Sequence, residues 1–375
     1  MVKTKTKEQA VGSQNRTVTP NEAKSALEHC IRLQRPIMMW GAPGIGKSDI
    51  VKQIGETQNR EVIDIRLPLW EPTDIKGIPY FDSNTNTMQW APPSELPNAE
   101  LAAQYDTIVL LLDELNSAPP SVQAAAYQLI LNRRVGTYKL PDNVVIIAAG
   151  NRETDKGVTF RMPKPLANRF VHFEVRVDFN DWLTWALDKK IHADVVGYIT
   201  ANKQDLYDFD PSADSRSFAT PRSWSFVSEL IDDEDGELDN ELQTDMVAGA
   251  VGEGLAIKFA AHRKVAGQMP NPTDVLKGKV KELKTKEISA MYSLTTSLCY
   301  ELKENFAIAS KQGTLDEWHK QSDTFFRFMM DNFETEMVVM GARTAIKNYN
   351  LPFNHKKLAN FKEFFERYGK LIQKA

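Results

Sequence analysis

Pro36-Ile37-Met38-Met39-Trp40-Gly41-Ala42-Pro43-Gly44-Ile45-Gly46-Lys47-Ser48 is the stretch on which the reading of this chain turns. A short apolar run meets a glycine-rich turn, which predicts a buried strand over Pro36–Trp40. A helix is expected from Lys47 to about Thr57. The residues between fit the spacing G-x-x-x-x-G-K-[ST]. Glycines let the backbone wrap closely around phosphate and aim N–H groups at it from a helix N-terminus. Gly41, Ala42, Pro43, Gly44, Ile45, Gly46, Lys47 and Ser48 are therefore candidate nucleotide-binding residues. Lys47 would reach the β- and γ-phosphates, and the Ser48 hydroxyl would ligate Mg²⁺. A chance glycine turn is the alternative, and the strand before and helix after argue against it.

Outward from this loop, strands and helices alternate from about Thr19 to Val175. Asn21–Arg32 reads as a helix with Pro20 just ahead of it. Strands follow at Glu61–Arg66, Thr107–Leu112, Val144–Ala148 and Val171–Val175, with a helix at Ser121–Asn132 after Pro119-Pro120. Near-continuous apolar strands separated by helices indicate a parallel sheet covered on both faces. After Phe179 the pattern becomes helical, over Asn180–Lys189, Ala193–Ala201, Pro221–Ile231 and Asp245–Val265. The acidic run Asp232–Asp239 reads as a solvated loop. Beyond Pro272 the chain again looks helical, with aromatic-rich stretches at Phe325–Phe333 and Phe361–Tyr368 that suit a helix core.

The bulk numbers exclude more than they assign. The chain has 375 residues, 42% hydrophobic and 26% charged, ordinary for a soluble globular protein. Its net charge of −4 gives no general attraction to nucleic acid or anionic membrane. Cys30 and Cys299 are the two cysteines, far apart, which argues against a disulfide framework and fits a reducing cytoplasm. The six histidines lack zinc-ligand spacing. No apolar run approaches the ~20 residues of a membrane span. The polar N-terminus lacks the apolar segment of a signal peptide and reads as a flexible tail.

Asp113-Glu114 directly follows the apolar strand Thr107–Leu112. A carboxylate at the end of a buried strand can hold the Mg²⁺ shell, the role expected of Asp113. Glu114 would polarise the attacking water as general base. Gly150-Asn151 follows Val144–Ala148, where an uncharged polar side chain can position that water; an Asn in an ordinary turn is the equal alternative. Arg169 precedes the strand Val171–Val175. Arg222 follows Thr220, which can cap a helix, and Pro221, which suits its first turn. An arginine beside the γ-phosphate would neutralise charge in the transition state. Either arginine could instead be an ordinary surface residue.

The ordered set resembles an AAA+ ATPase of the MoxR type. The resemblance runs from about Pro20 to about Met269. It rests on Gly41–Ser48, on Leu112-Asp113-Glu114-Leu115-Asn116-Ser117-Ala118-Pro119-Pro120, on Leu140-Pro141-Asp142-Asn143, and on Gly150-Asn151. Pro165-Leu166-Ala167-Asn168-Arg169-Phe170 and Thr220-Pro221-Arg222 complete it. It implies an α/β P-loop AAA+ core with a parallel sheet flanked by helices, then an all-α lid and a C-terminal helical segment. The implied boundaries are a tail at 1–18, the core at 19–178, the lid at 179–270 and the helical region at 271–375.

The same resemblance implies ATP and Mg²⁺ as cofactors, Asn151 as the sensor-1 asparagine and Arg222 as the sensor-2 arginine. Arg169 matches the arginine finger that acts on ATP held by a neighbouring subunit, which implies a homo-oligomeric ring, usually a hexamer. Asp74–Trp90 resembles the β-hairpin insert of this clade, making Tyr80, Phe81 and Trp90 candidate substrate contacts, with ordinary hairpin packing at least an equal alternative. Relatives of this type often remodel, activate or mature a protein client with a von Willebrand factor A-domain partner. A nucleic-acid motor or loader is the second expectation, disfavoured by the lack of a Lys/Arg cluster or aromatic-interleaved basic patch. A slow ATP-gated assembly switch is the third. Two departures stand out. Many relatives have Asn-Arg at Asn116-Ser117, and proline is frequent at Arg152, which becomes a candidate extra phosphate or intersubunit contact.

Overall fold

The computed structural model describes residues 16–56, 59–155, 157, 159–232 and 240–373. The tail read at 1–18 and the acidic run 232–239 lie outside these, apart from residues 16–18 and Asp232. The chain divides into two compact units, Met1–Asp178 and Phe179–Ala375.

In the first unit the strands and helices alternate as the apolar pattern predicts. Their order is β1 (Thr17–Val18), α1 (Pro20–Arg32), β2 (Ile37–Trp40), α2 (Lys47–Gly55), β3 (Arg60–Arg66) and α3 (Pro72–Lys76). β4 (Ile78–Asp82), β5 (Thr87–Ala91), α4 (Ala99–Ala102), β6 (Thr107–Asp113) and α5 (Pro120–Asn132) follow. β7 (Arg134–Val135), β8 (Tyr138–Lys139), β9 (Val144–Gly150), α6 (Lys164–Ala167) and β10 (Val171–Val175) close the unit. One six-stranded sheet runs β1-β10-β2-β9-β6-β3. Every neighbouring pair in it is parallel. Thr17 and Val18, read as the end of the tail, instead form its edge strand against Glu174 and Val175.

β6 and β9 lie inside the sheet, and their Ile108–Leu112 and Val144–Ala149 side chains are 0–2% exposed. On one face Ile108, Leu110, Leu112, Ile146 and Ala148 pack with Val122, Ala125, Ala126 and Leu129 of α5. This dual burial explains why these strands are almost uninterrupted Val, Ile and Leu. α1 starts with a capping box, in which Glu22 N–H donates to the Thr19 hydroxyl and the Glu22 carboxylate accepts from Thr19 N–H.

β4 and β5 form a separate antiparallel hairpin with Phe81 opposite Met88 and Pro79 opposite Trp90. Gly77 admits the chain at its base, since a Cβ there would lie 1.9 Å from the Ala91 carbonyl oxygen. Of the two readings open for Trp90, substrate contact or hairpin packing, the structure shows packing: it is half-buried beside Gly136, and its carbonyl accepts from the Thr137 hydroxyl. The exposed apolar side chains are Ile78, Tyr80, Phe81 and Met88, at 70, 51, 66 and 67%.

Among its described residues the second unit is helical. α7 (Phe179–Asp188), α8 (Ala193–Ala201), α9 (Pro221–Ile231), α10 (Asn240–Val251) and α11 (Glu253–Ala266) come first. α12 (Pro272–Leu276), α13 (Ile288–Gln312), α14 (Leu315–Asn332), α15 (Thr335–Arg343) and α16 (Ala359–Gln373) follow. The helix read as continuous over Asp245–Val265 is two helices. Gly252 breaks it with φ 95°, a backbone conformation that glycine adopts without steric cost.

The aromatic stretches supply this unit's core, as their helical spacing predicts. Phe326 is 1% exposed and its ring meets Phe353, Phe361 and Phe364 at centroid distances of 4.8–5.0 Å. Phe326→Ala should cost about 3–5 kcal/mol through lost burial and a residual cavity. Urea unfolding followed by aromatic fluorescence or circular dichroism would read it, and a midpoint equal to wild type would contradict this packing.

Candidate nucleotide site

The site is built at the carboxyl ends of β2, β9 and β6, where the loops leave the sheet. Trp40 and Gly150 pair across β2 and β9, and Gly41 N–H donates to the Gly150 carbonyl at 3.2 Å. The loop then turns through Gly44 (φ 74°) and Gly46 (φ 90°) into α2. Those angles lie in the region that disfavours any Cβ. The first N–H groups of α2 have no partners within the helix and carry its positive dipole end, so the turn is suited to an anion.

Lys47 is 8% exposed. Its Nζ donates to the Gly41 carbonyl at 2.8 Å, the Ala42 carbonyl at 2.9 Å and Asn151 Oδ1 at 3.1 Å. One ammonium thus ties the loop after β2 to the residue after β9. Ser48 Oγ donates to Asp113 Oδ2 at 2.6 Å, and Asp113 Oδ1 accepts from Glu114 N–H at 2.9 Å. Asp113 is buried and Glu114 exposed, with Glu114 at φ 55°. The turn reverses the direction of the carboxylates: one faces the loop and its neighbour faces solvent.

Ser48 and Asp113 offer a hydroxyl and a carboxylate oxygen side by side, a hard donor pair that fits Mg²⁺. Mg²⁺ usually takes one or two carboxylates and fills its shell with water and phosphate oxygens, so these two protein ligands suffice. No group of three or more His, Cys, Asp or Glu suited to a metal occurs among the described residues. Asp64 of β3, not anticipated from the sequence, lies close by. Its Oδ1 is buried without a hydrogen-bond partner. Burial, then the charge of Asp113, pushes its carboxyl above the usual range.

The sequence assigns Asn116 no role beyond its place in the motif Leu112–Pro120. It is 1% exposed and both ends of its carboxamide bond the Asn151 backbone. Its signal was a polar residue two positions beyond the acidic pair. Arg169 follows α6 in the same unit, exposed, and its guanidinium makes no hydrogen bond or ion pair with a described residue. Arg222 lies in the first turn of α9 in the second unit, where Thr220 caps the helix by accepting from Ser223 N–H at 3.0 Å.

Arg152 is not free to serve as an extra phosphate contact. Its guanidinium pairs with Asp155 at 2.7 Å and Glu174 at 3.1 Å, both carboxylates nearly buried. Hydrogen bonding to Asp155, with help from Glu174, raises its pKa further above the ordinary arginine value.

Residues 36–172 match the ATPase family associated with various cellular activities (AAA). The chain is 29% identical over 201 residues to Midasin of Giardia intestinalis. That alignment takes in 50% of this chain and 4% of Midasin, so the chain spans a small fraction of that relative's length. A crystal structure of NtrX from Brucella abortus overlaps 68% of this chain and 61% of its own, at 16% identity and a TM-score of 0.39. A second, in complex with ATP, overlaps 82% and 69%, at 14% identity and a TM-score of 0.38. Likeness that distant adds nothing to the strand order described above. The family match lies wholly within the first unit and takes in the phosphate-type loop and the strands around it.

Arg152→Ala would take the guanidinium away from two poorly solvated carboxylates, Asp155 and Glu174. It should lower stability by roughly 2–4 kcal/mol, less than for a fully buried pair because a third of the arginine is exposed. Nucleotide affinity should stay within about twofold of wild type, since at its observed partners the side chain supplies nothing to phosphate. Chemical denaturation and nucleotide titration on one preparation would check both.

Proposed function

We propose that the chain is a Mg²⁺-dependent ATPase that works as a homo-oligomeric ring, a hexamer of the MoxR type, and remodels or matures a protein client in the cytoplasm. The observation that carries the reading is the joining of Lys47 to Asn151 and of Ser48 to Asp113 at the ends of adjacent parallel strands. It puts a cation, a hydroxyl, a carboxylate and an amide around one glycine turn. The loop Gly41–Ser48 holds the phosphates, with Lys47 at the β- and γ-phosphates. Mg²⁺ on Ser48 and Asp113 would supply charge neutralisation to the phosphoryl oxygens. Glu114, exposed beside them, takes the proton of the attacking water. Asn151 orients that water. Arg169 reaches ATP in the neighbouring subunit, in keeping with an exposed guanidinium that has no ion pair to a described residue. Residues 179–270 act as the lid bearing Arg222, and 271–375 as an appended helical region.

The exposed Ile78, Tyr80, Phe81 and Met88 on the β4–β5 hairpin give a protein client an apolar contact. A von Willebrand factor A-domain protein is the partner class this reading favours. Glu114→Gln should bind ATP with near wild-type affinity and lose at least about a hundredfold in turnover, while Lys47→Ala should lose affinity. The Glu114→Gln protein, tagged and loaded with ATP in host extract, should retain a discrete protein that nuclease does not release and Lys47→Ala does not capture. Retention of nucleic acid alone would overturn the client reading. Mixing Arg169→Ala with Lys47→Ala subunits should restore part of the activity if the arginine acts across the interface.

One observation favours the nucleic-acid reading. Contrary to the sequence expectation of no Lys/Arg cluster, Lys277, Lys279, Lys281, Lys284 and Lys286 fall within ten residues and are all exposed. Val280 and Leu283 between them turn into the helical core, and Asn332 bonds the Lys281 carbonyl and Leu283 N–H. The lysines thus stand on an anchored strap. Lys279 pairs with Asp274, and Glu282 and Glu287 offset part of the charge. If this surface holds phosphates, DNA should raise turnover, with an effect that fades steeply between low and physiological salt. Turnover unmoved by DNA at low salt would remove this alternative.

A further inference from the structure

β6 and β9 are hydrogen-bonded neighbours whose register runs from Ile108 opposite Val144 to Leu112 opposite Ala148. Beyond that point the two chains carry the residues that matter most, Asp113 and Glu114 on one and Asn151 on the other. No ladder pairing holds them together there. A pair of loops leaving a sheet would ordinarily be free to splay.

Asn116 closes this gap. Its Nδ2 donates to the Asn151 carbonyl at 2.8 Å, and its Oδ1 accepts from Asn151 N–H at 3.2 Å. Both bonds fix the carboxamide's orientation, because a flipped amide would place donor against donor and acceptor against acceptor. A side-chain amide bonded in this way copies a peptide group and adds one rung to the sheet after the ladder has ended. Gly150 makes room for it. A Cβ at that position would lie 2.3 Å from Asn116 Oδ1 and 2.6 Å from Met38 Cε. The Asn116 carbonyl also accepts from Phe160 N–H at 2.6 Å, joining the same turn to the segment that leads to α6 and Arg169.

We propose that Asn116 is a positioning residue for ATP hydrolysis, clamping the Asn151 backbone so that the Asn151 side chain and the Glu114 carboxylate keep a fixed separation across the γ-phosphate site. The proposal rests on the ATPase reading above. Asn116 touches no phosphate itself. It acts because Asn151 has two constraints, its backbone held by Asn116 and its Oδ1 held by Lys47. With one removed, the amide oxygen is still tethered to the ammonium, but the peptide that carries it can swing. Small displacements of a water-orienting group lower the rate of the chemical step far more than ground-state binding.

The test uses the full chain with Asn116→Ala and Asn116→Asp. For Asn116→Ala the turnover number should fall about tenfold or more, while the dissociation constant for ATP stays within about threefold. Asn116→Asp keeps the acceptor and loses the donor. Its carboxyl can donate to the Asn151 carbonyl only when protonated, and the protonated form prevails as pH falls. The ratio of its turnover to wild type should therefore rise from pH 8 to pH 6. Hydrogen exchange of the peptide covering residues 150–152, measured without nucleotide, should quicken in Asn116→Ala.

Turnover within about twofold of wild type in Asn116→Ala overturns the proposal. So does a parallel loss of turnover and ATP affinity with an Asn116→Asp ratio that is flat in pH, the pattern of a merely structural residue. Unchanged exchange at 150–152 overturns the clamp regardless of catalysis. If wild type turns over no ATP, the ATPase reading falls and the catalytic part of this proposal with it; the exchange result then still decides whether the clamp exists.

Discussion

The ammonium of Lys47 is the group around which the nucleotide-binding unit is arranged. A buried charge is costly unless acceptors surround it, and here carbonyls from the loop after β2 and an amide oxygen from the end of β9 supply them. Those acceptors come from two strands that are neighbours only because the sheet order places β9 against β2. The cation therefore holds the glycine turn closed onto the sheet and fixes where the first N–H groups of α2 point. A phosphate entering there meets donors already oriented, so little ordering remains to be done on binding.

The second half of the site depends on the same sheet. β6 delivers Asp113 to the Ser48 hydroxyl and then reverses through a left-handed Glu114, which separates two adjacent carboxylates by environment. The buried one suits a metal and the exposed one suits a proton from water. Asp64 on β3 adds a buried Oδ1 without a hydrogen-bond partner, while Lys52 pairs with its other oxygen at 3.7 Å; burial, then the charge of Asp113, raises its pKa.

Much of the fold was legible because its signals are local. The run Thr107–Leu112 is apolar at every position but one, which only a strand covered on both faces tolerates. Pro20, and Thr220 with Pro221, announced helix starts that the structure shows, each with a capping threonine. The misses were also local to their causes. Gly252 in an apolar helical pattern looked tolerable, and only its positive φ shows the break. Thr17 and Val18 are too short a run to signal a strand; they become one because β10 offers an open edge. Arg152 resembled a spare cation, yet Asp155 three residues on and Glu174 on a different strand bind it.

The sequence by itself determined the alternating sheet architecture, the phosphate-type loop, and which residues carry charge at the ends of which strands. Periodicity, glycine spacing and caps act over a few neighbouring residues, so they can be read without knowing the fold. Only the tertiary structure decided the strand order that brings Lys47 to Asn151 and Ser48 to Asp113, partners 104 and 65 residues apart. It also decided that Asn116 reaches the Asn151 backbone and that Gly150 must lack a side chain to allow it. Hydrogen bonds between residues so distant in sequence depend on register across the sheet, which no local pattern encodes.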